Sequence, residues 1–277
     1  MTNRHSLFSF GKLVILLLTI LSLSACGSGK RDGNSNITNT EDEGGSGSKI
    51  TFNGAASGGE LLTYILDTKN LTYSYKIEES QLGFTNQSNN GTLQKTEIPN
   101  VYIPSSDSNA RVVLLSDKFV VGGFTVGGQL MTFAGVPKLN TSYTPADISG
   151  TYNFIEYAKW EGKYQAWGGT FKVNTNGTWE YCEMNDIDTV STSSCKDHMT
   201  GTWTDKGGGL IDAQSQGLSI GTAMVLPGSS KGQILVIDLK DVSKEASDVA
   251  GPGMIVGIKK IDISKESFDG EYEWVDT

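Results

Sequence analysis

From Leu71 to Ile77 the chain reads Leu-Thr-Tyr-Ser-Tyr-Lys-Ile, with Leu71, Tyr73, Tyr75 and Ile77 on one parity and Thr72, Ser74 and Lys76 on the other. A period of two residues belongs to a half-buried β-strand, and no stretch of the chain sustains the 3.6-residue period of an amphipathic helix. The same logic predicts a partner strand at Glu60 to Leu66, joined through the turn-forming Asp67-Thr68-Lys69-Asn70. Gly83 to Gly91 reads as a polar loop. Val112 to Leu115 and Phe119 to Val121, around Ser116-Asp117-Lys118, are continuous apolar runs that fit strands buried on both faces, with a further strand at Gln129 to Ala134.

Val136 to Asp147, with Pro137, Pro145 and a run of polar residues, is the natural internal connector. Beyond it, strands are predicted from Gly150, in a hairpin of Gly169 to Val173 with Gly177 to Cys182, and at Met199 to Thr204, Ile220 to Leu226, Gln233 to Leu239, Met254 to Lys259 and Glu271 to Val275. Asp241 to Gly253 reads as a loop or a single helical turn. Leu66-Asp67-Thr68-Lys69-Asn70 is similar to Val173-Asn174-Thr175-Asn176-Gly177, and Gly91-Thr92-Leu93 to Gly201-Thr202-Trp203, in the same order. The fold class expected is all-β, an antiparallel barrel or sandwich, with two related β lobes possible, at 49–140 and 146–277.

Ahead of this β region stands a different composition. Arg4 and Lys12 precede the apolar run Leu13–Leu23, which is too short to span a bilayer needing about 20 apolar residues. Leu23-Ser24-Ala25-Cys26 resembles the lipobox of bacterial lipoproteins. The resemblance implies a signal peptide at 1–25, cleavage before Cys26, and lipid on that cysteine. Residues 26–48, rich in Gly, Ser, Asn and acidic residues with Ile37 alone apolar, would then form a flexible tether. β-barrel lobes on such a tether resemble surface lipoproteins. Gly27, where the family carries Asp for inner-membrane retention, implies the outer membrane if the host has one. The lipid anchor would then be the membrane contact.

With Cys26 lipidated, Cys182 and Cys195 remain, and a leftover pair in an exported chain predicts a disulfide. A thiolate zinc site would need closer spacing and further ligands. Lys and Arg number 22 against 31 Asp and Glu, a net charge of −9, so nucleic acid is not an expected partner.

Chemistry is sparse. His198 is the one histidine after the signal, which excludes a multi-histidine zinc site; no G-x-S-x-G elbow or phosphate-binding loop is present. Ser193-Ser194-Cys195-Lys196 matches S-x-x-K without the motifs that accompany it. Asp186-Ile187-Asp188, with Glu183, Asn185 and Asp197, begins like a calcium loop but has Val190 and Ser191 where oxygen and glycine ligands are required, so it reads as a solvated acidic loop. Neither a cofactor nor a metal is expected. The remaining signal is aromatic: four of five tryptophans lie between 160 and 203. Trp179, Tyr181 and Trp203 fall at core strand positions. Tyr157, Trp160, Tyr164 and Trp167 flank Glu161-Gly162-Lys163, a predicted loop, and form the candidate ligand-binding set. The expected function is a lipid-anchored, non-enzymatic envelope protein binding a protein or glycan partner through its β-lobe loops. The alternatives are a structural or assembly subunit of the envelope and, less favoured, a hydrolase.

Overall fold

The computed structural model describes residues 49–115, 118–160, 162–226, 233–242 and 251–260. Residues 1–48, with Cys26 and the tether, and the strand expected at Glu271 to Val275 lie outside the described residues. So does most of the Asp241 to Gly253 stretch.

The chain forms two closed antiparallel barrels in sequence. The first comprises β1 (Lys49–Ala56), β2 (Glu60–Asp67), β3 (Thr72–Ser80), β4 (Ser88–Lys95), β5 (Val101–Pro104), β6 (Val112–Leu115), β7 (Phe119–Val126) and β8 (Gln129–Pro137). Each strand pairs with the next, and β8 returns to β1, Ala55 facing Ala134. The second comprises β9 (Gly150–Trp160), β10 (Lys163–Val173), β11 (Thr178–Glu183), β12 (His198–Gly207), β13 (Leu210–Ser215), β14 (Leu218–Leu226), β15 (Ile234–Leu239) and β16 (Gly251–Lys259), closed by β16 on β9. Closure leaves neither sheet an open edge. Between the barrels lies a short helix, α1 (Pro145–Ile148), begun by Thr144, whose N–H and hydroxyl both donate to the Asp147 carboxylate at 2.8 and 2.7 Å. Among the described residues no helix is long and apolar enough to cross a membrane.

The turn joining β2 to β3 forms as its residues dictate: the Asp67 carboxylate accepts the N–H groups of Lys69 and Asn70 at 3.1 and 2.8 Å. Alternation then fills each barrel. Leu62, Tyr64, Tyr73, Tyr75 and Phe124 occupy the interior of the first; Phe171, Trp179, Tyr181 and Trp203 occupy that of the second. The continuous apolar runs have their own explanation. On β7, Val120 faces the barrel interior while Phe119 and Val121 face outward; on β15, Leu235 and Ile237 face in while Ile234 and Val236 face out. These outer faces meet in a third apolar cluster, with Ala134, Met224, Met254 and Val256, that joins the lobes. Burial on both faces is therefore barrel core on one side and inter-lobe seam on the other.

The two barrels share their strand order and two sequence landmarks at equivalent strands. The two similar turns connect the second and third strands of each lobe, and the two similar Gly-Thr dipeptides lie on the fourth strand of each. Gly91 is paired with Tyr73, Gly201 with Trp179, and in both cases the aromatic ring lies over the glycine where a Cβ would be, within 2.9 and 2.5 Å. The apolar strand pairs compared from sequence are out of step by one strand: Arg111 to Phe124 holds β6 and β7, Gln233 to Ile258 holds β15 and β16.

Two loop expectations are corrected. Ser88 to Gly91 is strand β4 rather than loop, because Asn89, Asn90 and Gly91 pair with Tyr75, Ser74 and Tyr73. Trp160 and Lys163 pair directly at the narrow end of a long hairpin, so the candidate aromatics on either side lie on strands rather than in a loop. β1, β5 and β13 are strands that sequence reading did not single out.

Candidate functional site

The hairpin of β9 and β10 is the longest in the molecule's second barrel, each strand running 11 residues. Its register places Tyr157 opposite Ala166, Tyr164 opposite Lys159, Trp167 opposite Glu156 and Trp160 opposite Lys163. Directly paired residues share a face, so the four candidate aromatics divide. Tyr157 and Tyr164 project from the outer face, diagonal to one another, with rings stacked at 5.4 Å between centroids and 7° between planes. Trp160 and Trp167 lie on the face shared with Tyr152, Phe154 and Glu156. Trp167 packs against the barrel core, and Trp160 is half-buried near the hairpin tip. The structure thus brings the two tyrosines together and places the tryptophans on the opposite face.

Tyr164 remains 39% exposed, while the rest of its ring is covered enough that burial pushes its hydroxyl up to about 12, with a contribution from the Glu60 carboxyl of the first lobe. The stacked pair therefore stands at the rim of the inter-lobe seam. There the β1–β2 turn leans on the second lobe: a Cβ at Gly59 would fall 2.5 Å from Pro252 Cβ and 2.7 Å from the Leu239 carbonyl oxygen.

Beneath the hairpin the second barrel holds a carboxyl group that sequence reading missed. Glu156 is buried, accepts the Tyr181 hydroxyl at 3.0 Å, and is pushed up to about 7 chiefly by burial, then by the carboxylates of Glu183 and Asp197. Glu183 is itself raised by burial and paired with Lys196 at 2.8 Å. Beside it the Cys182–Cys195 disulfide ties the end of β11 to the segment leading into β12, with Cα atoms 5.1 Å apart. The acidic loop is held by lysines: Asp186 and Asp188 pair with Lys260 at 2.6 and 3.3 Å, and Asp188 also with Lys172 at 3.1 Å. Among the described residues no three His, Cys, Asp or Glu side chains are grouped to hold a metal. His198 begins β12 opposite Cys182, its Nε2 3.8 Å from the Glu180 carboxylate.

The seam holds a second missed pair. Asp238 lies on the outer face of β15 among Ile234 and Val236, fully buried, with both carboxyl oxygens lacking a hydrogen-bond partner. Burial raises it well above the usual carboxylate range, as does the neighbouring Glu60, itself pushed up to about 7 by burial. Over them Glu79 bridges the lobes to Lys206 and Lys240 at 3.2 and 3.4 Å. One signal was available: an aspartate inside Ile-Leu-Val-Ile-Asp-Leu, a run otherwise apolar on both parities.

No protein-family model and no curated protein matches this chain. Among solved structures, the DNA polymerase III subunit beta from Pseudomonas aeruginosa aligns at 8% identity and a TM-score of 0.15, over 77% of this chain and 58% of that one. At that score the likeness carries no argument about fold or function.

Proposed function

We propose that this chain is a lipid-anchored envelope protein that binds a protein or glycan partner and performs no catalysis. The observation that carries the reading is the stacked Tyr157–Tyr164 pair, half-exposed on a hairpin whose β9 strand is paired on both sides, and set at the rim of the seam. Tyrosine supplies large contact area at little conformational cost, and a pair fixed by stacking loses still less on binding. Support for the anchor is the Leu23-Ser24-Ala25-Cys26 sequence, and Gly27 favours the outer membrane in a host that has one. Trp160 and Trp167, on the opposite face of the hairpin, serve to hold it rather than to touch the partner.

The test is capture from envelope extracts and glycan panels by the full chain, wild type against Tyr164→Ala. Loss of capture with an unchanged melting temperature supports the reading; equal capture by both proteins refutes it.

A further inference from the structure

Barrel closure gives every strand two neighbours, but not along every residue. β10 pairs with β9 over its whole length, from Lys163 to Val173, whereas β11 covers it at residues 169–173 alone. Just past that ladder the Met184 N–H donates to the Gly168 carbonyl at 2.8 Å, and the chain turns away through Met184, whose φ is 61°. Residues 163–166 of β10 are exposed. Toward the hairpin tip, then, β10 is paired on one side only among the described residues.

In an antiparallel strand the N–H and C=O of one residue point to the same side, and successive residues alternate. The Gly168 carbonyl points toward β11, so the N–H and C=O of Ala166 and Tyr164 point the same way, to where β11 no longer runs. Such a row is a template for one more strand, which an extended segment supplies through main-chain hydrogen bonds.

Charge and reach select the segment. The hairpin end carries the exposed Lys159 and Lys163, which favour an acidic strand. Residues 261–277 hold six Asp and Glu against one Lys, and within them 271–275 alternate as a strand does. Lys260 precedes them directly. Its N–H donates to the Thr151 carbonyl at 2.6 Å, and Thr151 faces Lys172 on β10. Its Nζ extends to Asp186 and Asp188 in the connection that follows β11. From there to a strand beside Ala166 is roughly 20 Å along β10 and about 14 Å across it, a diagonal of roughly 25 Å. Residues 261–270 can span about 33 Å. Running from the base of the hairpin to its tip, the segment lies antiparallel to β10.

We infer that residues 271–275 add to the unpaired side of β10 as an antiparallel strand, with Tyr272 and Trp274 on the face of Tyr164 and the glutamates beside Lys163. Cross-strand aromatic and opposite-charge pairs favour that orientation. A segment tethered so close stands at an effective concentration on the order of millimolar, so a short ladder is enough to hold it. The inference does not rest on the partner reading, because the strand is held by the backbone of β10 whatever the tyrosines touch.

Amide exchange on the full chain, read residue by residue by NMR, tests it. The Tyr164 and Ala166 amides should exchange about tenfold or more slowly in the wild type than in a variant carrying Glu273→Pro and Trp274→Pro, since proline takes donors from the ladder. Lys163→Glu, which leaves the segment untouched, should speed the same two amides as well. Fast exchange at both amides in the wild type overturns the inference, as does equal protection in both variants. Protection that disappears on dilution also overturns it, since the strand would then come from a second copy of the chain.

Discussion

A glycine and an aromatic ring on adjacent strands carry much of the repeat. Gly201 is so closely met that a Cβ there would lie 1.9 Å from the Gln214 carbonyl oxygen and 2.5 Å from the Trp179 ring. Gly201→Val should therefore destabilise the chain by about 1–3 kcal/mol or more, read as a fall in melting temperature; an unchanged value would mean the ring is free to move away. The likeness of Gly-Thr-Leu to Gly-Thr-Trp was legible in the sequence, but its cause was not. The ring that covers each glycine comes from the preceding strand, across a turn and a hairpin. The candidate site was legible to the same degree. Residue types drew attention to Tyr157, Trp160, Tyr164 and Trp167 together, whereas parity along an unbroken hairpin separates them, and parity could not be applied while the segment was read as a loop.

At the scale of elements, strands with one buried face announced themselves through alternation, as in β3, and seam strands through continuous apolar runs, as in β7 and β15. β4 did not, because Ser88, Asn89, Asn90 and Gly91 owe their extended conformation to hydrogen-bonding partners on β3 rather than to their own side chains. The disulfide was legible from cysteine arithmetic, and its position gives it a definite task. It closes the loop between β11 and β12 across a sequence separation of 13. Replacing both Cys182 and Cys195 by Ser should cost roughly 3 kcal/mol by the chain-entropy argument. It should also release the loop holding Asp186 and Asp188, seen as faster amide exchange there. Unaltered stability and exchange would show that the lysine pairs suffice without the bridge.

The whole molecule is two barrels joined along one apolar seam with acids inside it, and that arrangement sets its response to pH. In the unfolded chain Glu60 ionises near its usual 4.5; in the folded protein it keeps its proton to about 7, and Asp238 is likewise raised. Between those values the folded state binds more protons than the unfolded, so stability falls as pH rises through that window. Glu156, inside the second barrel, acts in the same direction. Facing Asp238, Lys206 and Lys240 favour its ionised form and soften the effect, while Glu79, itself held low by those lysines, matters only under more acidic conditions. The melting temperature should therefore drop from pH 5 to pH 7.5, and Glu60→Gln with Asp238→Asn should flatten the profile; a wild-type profile rising over that range would contradict the placement of these acids.

For the molecule in its cell, Cys26→Ser should move the chain from the detergent fraction to the soluble one, and retention of the variant in the membrane would refute the anchor. The most direct trial of the binding account is a paired measurement on the full chain carrying Tyr157→Ala and Tyr164→Ala together, melting temperature beside affinity for the captured partner. The account predicts a melting temperature close to wild type and a loss of about 2 kcal/mol or more in binding, roughly thirtyfold in affinity. Undiminished affinity, or a collapse of stability equal to the loss of binding, would contradict it.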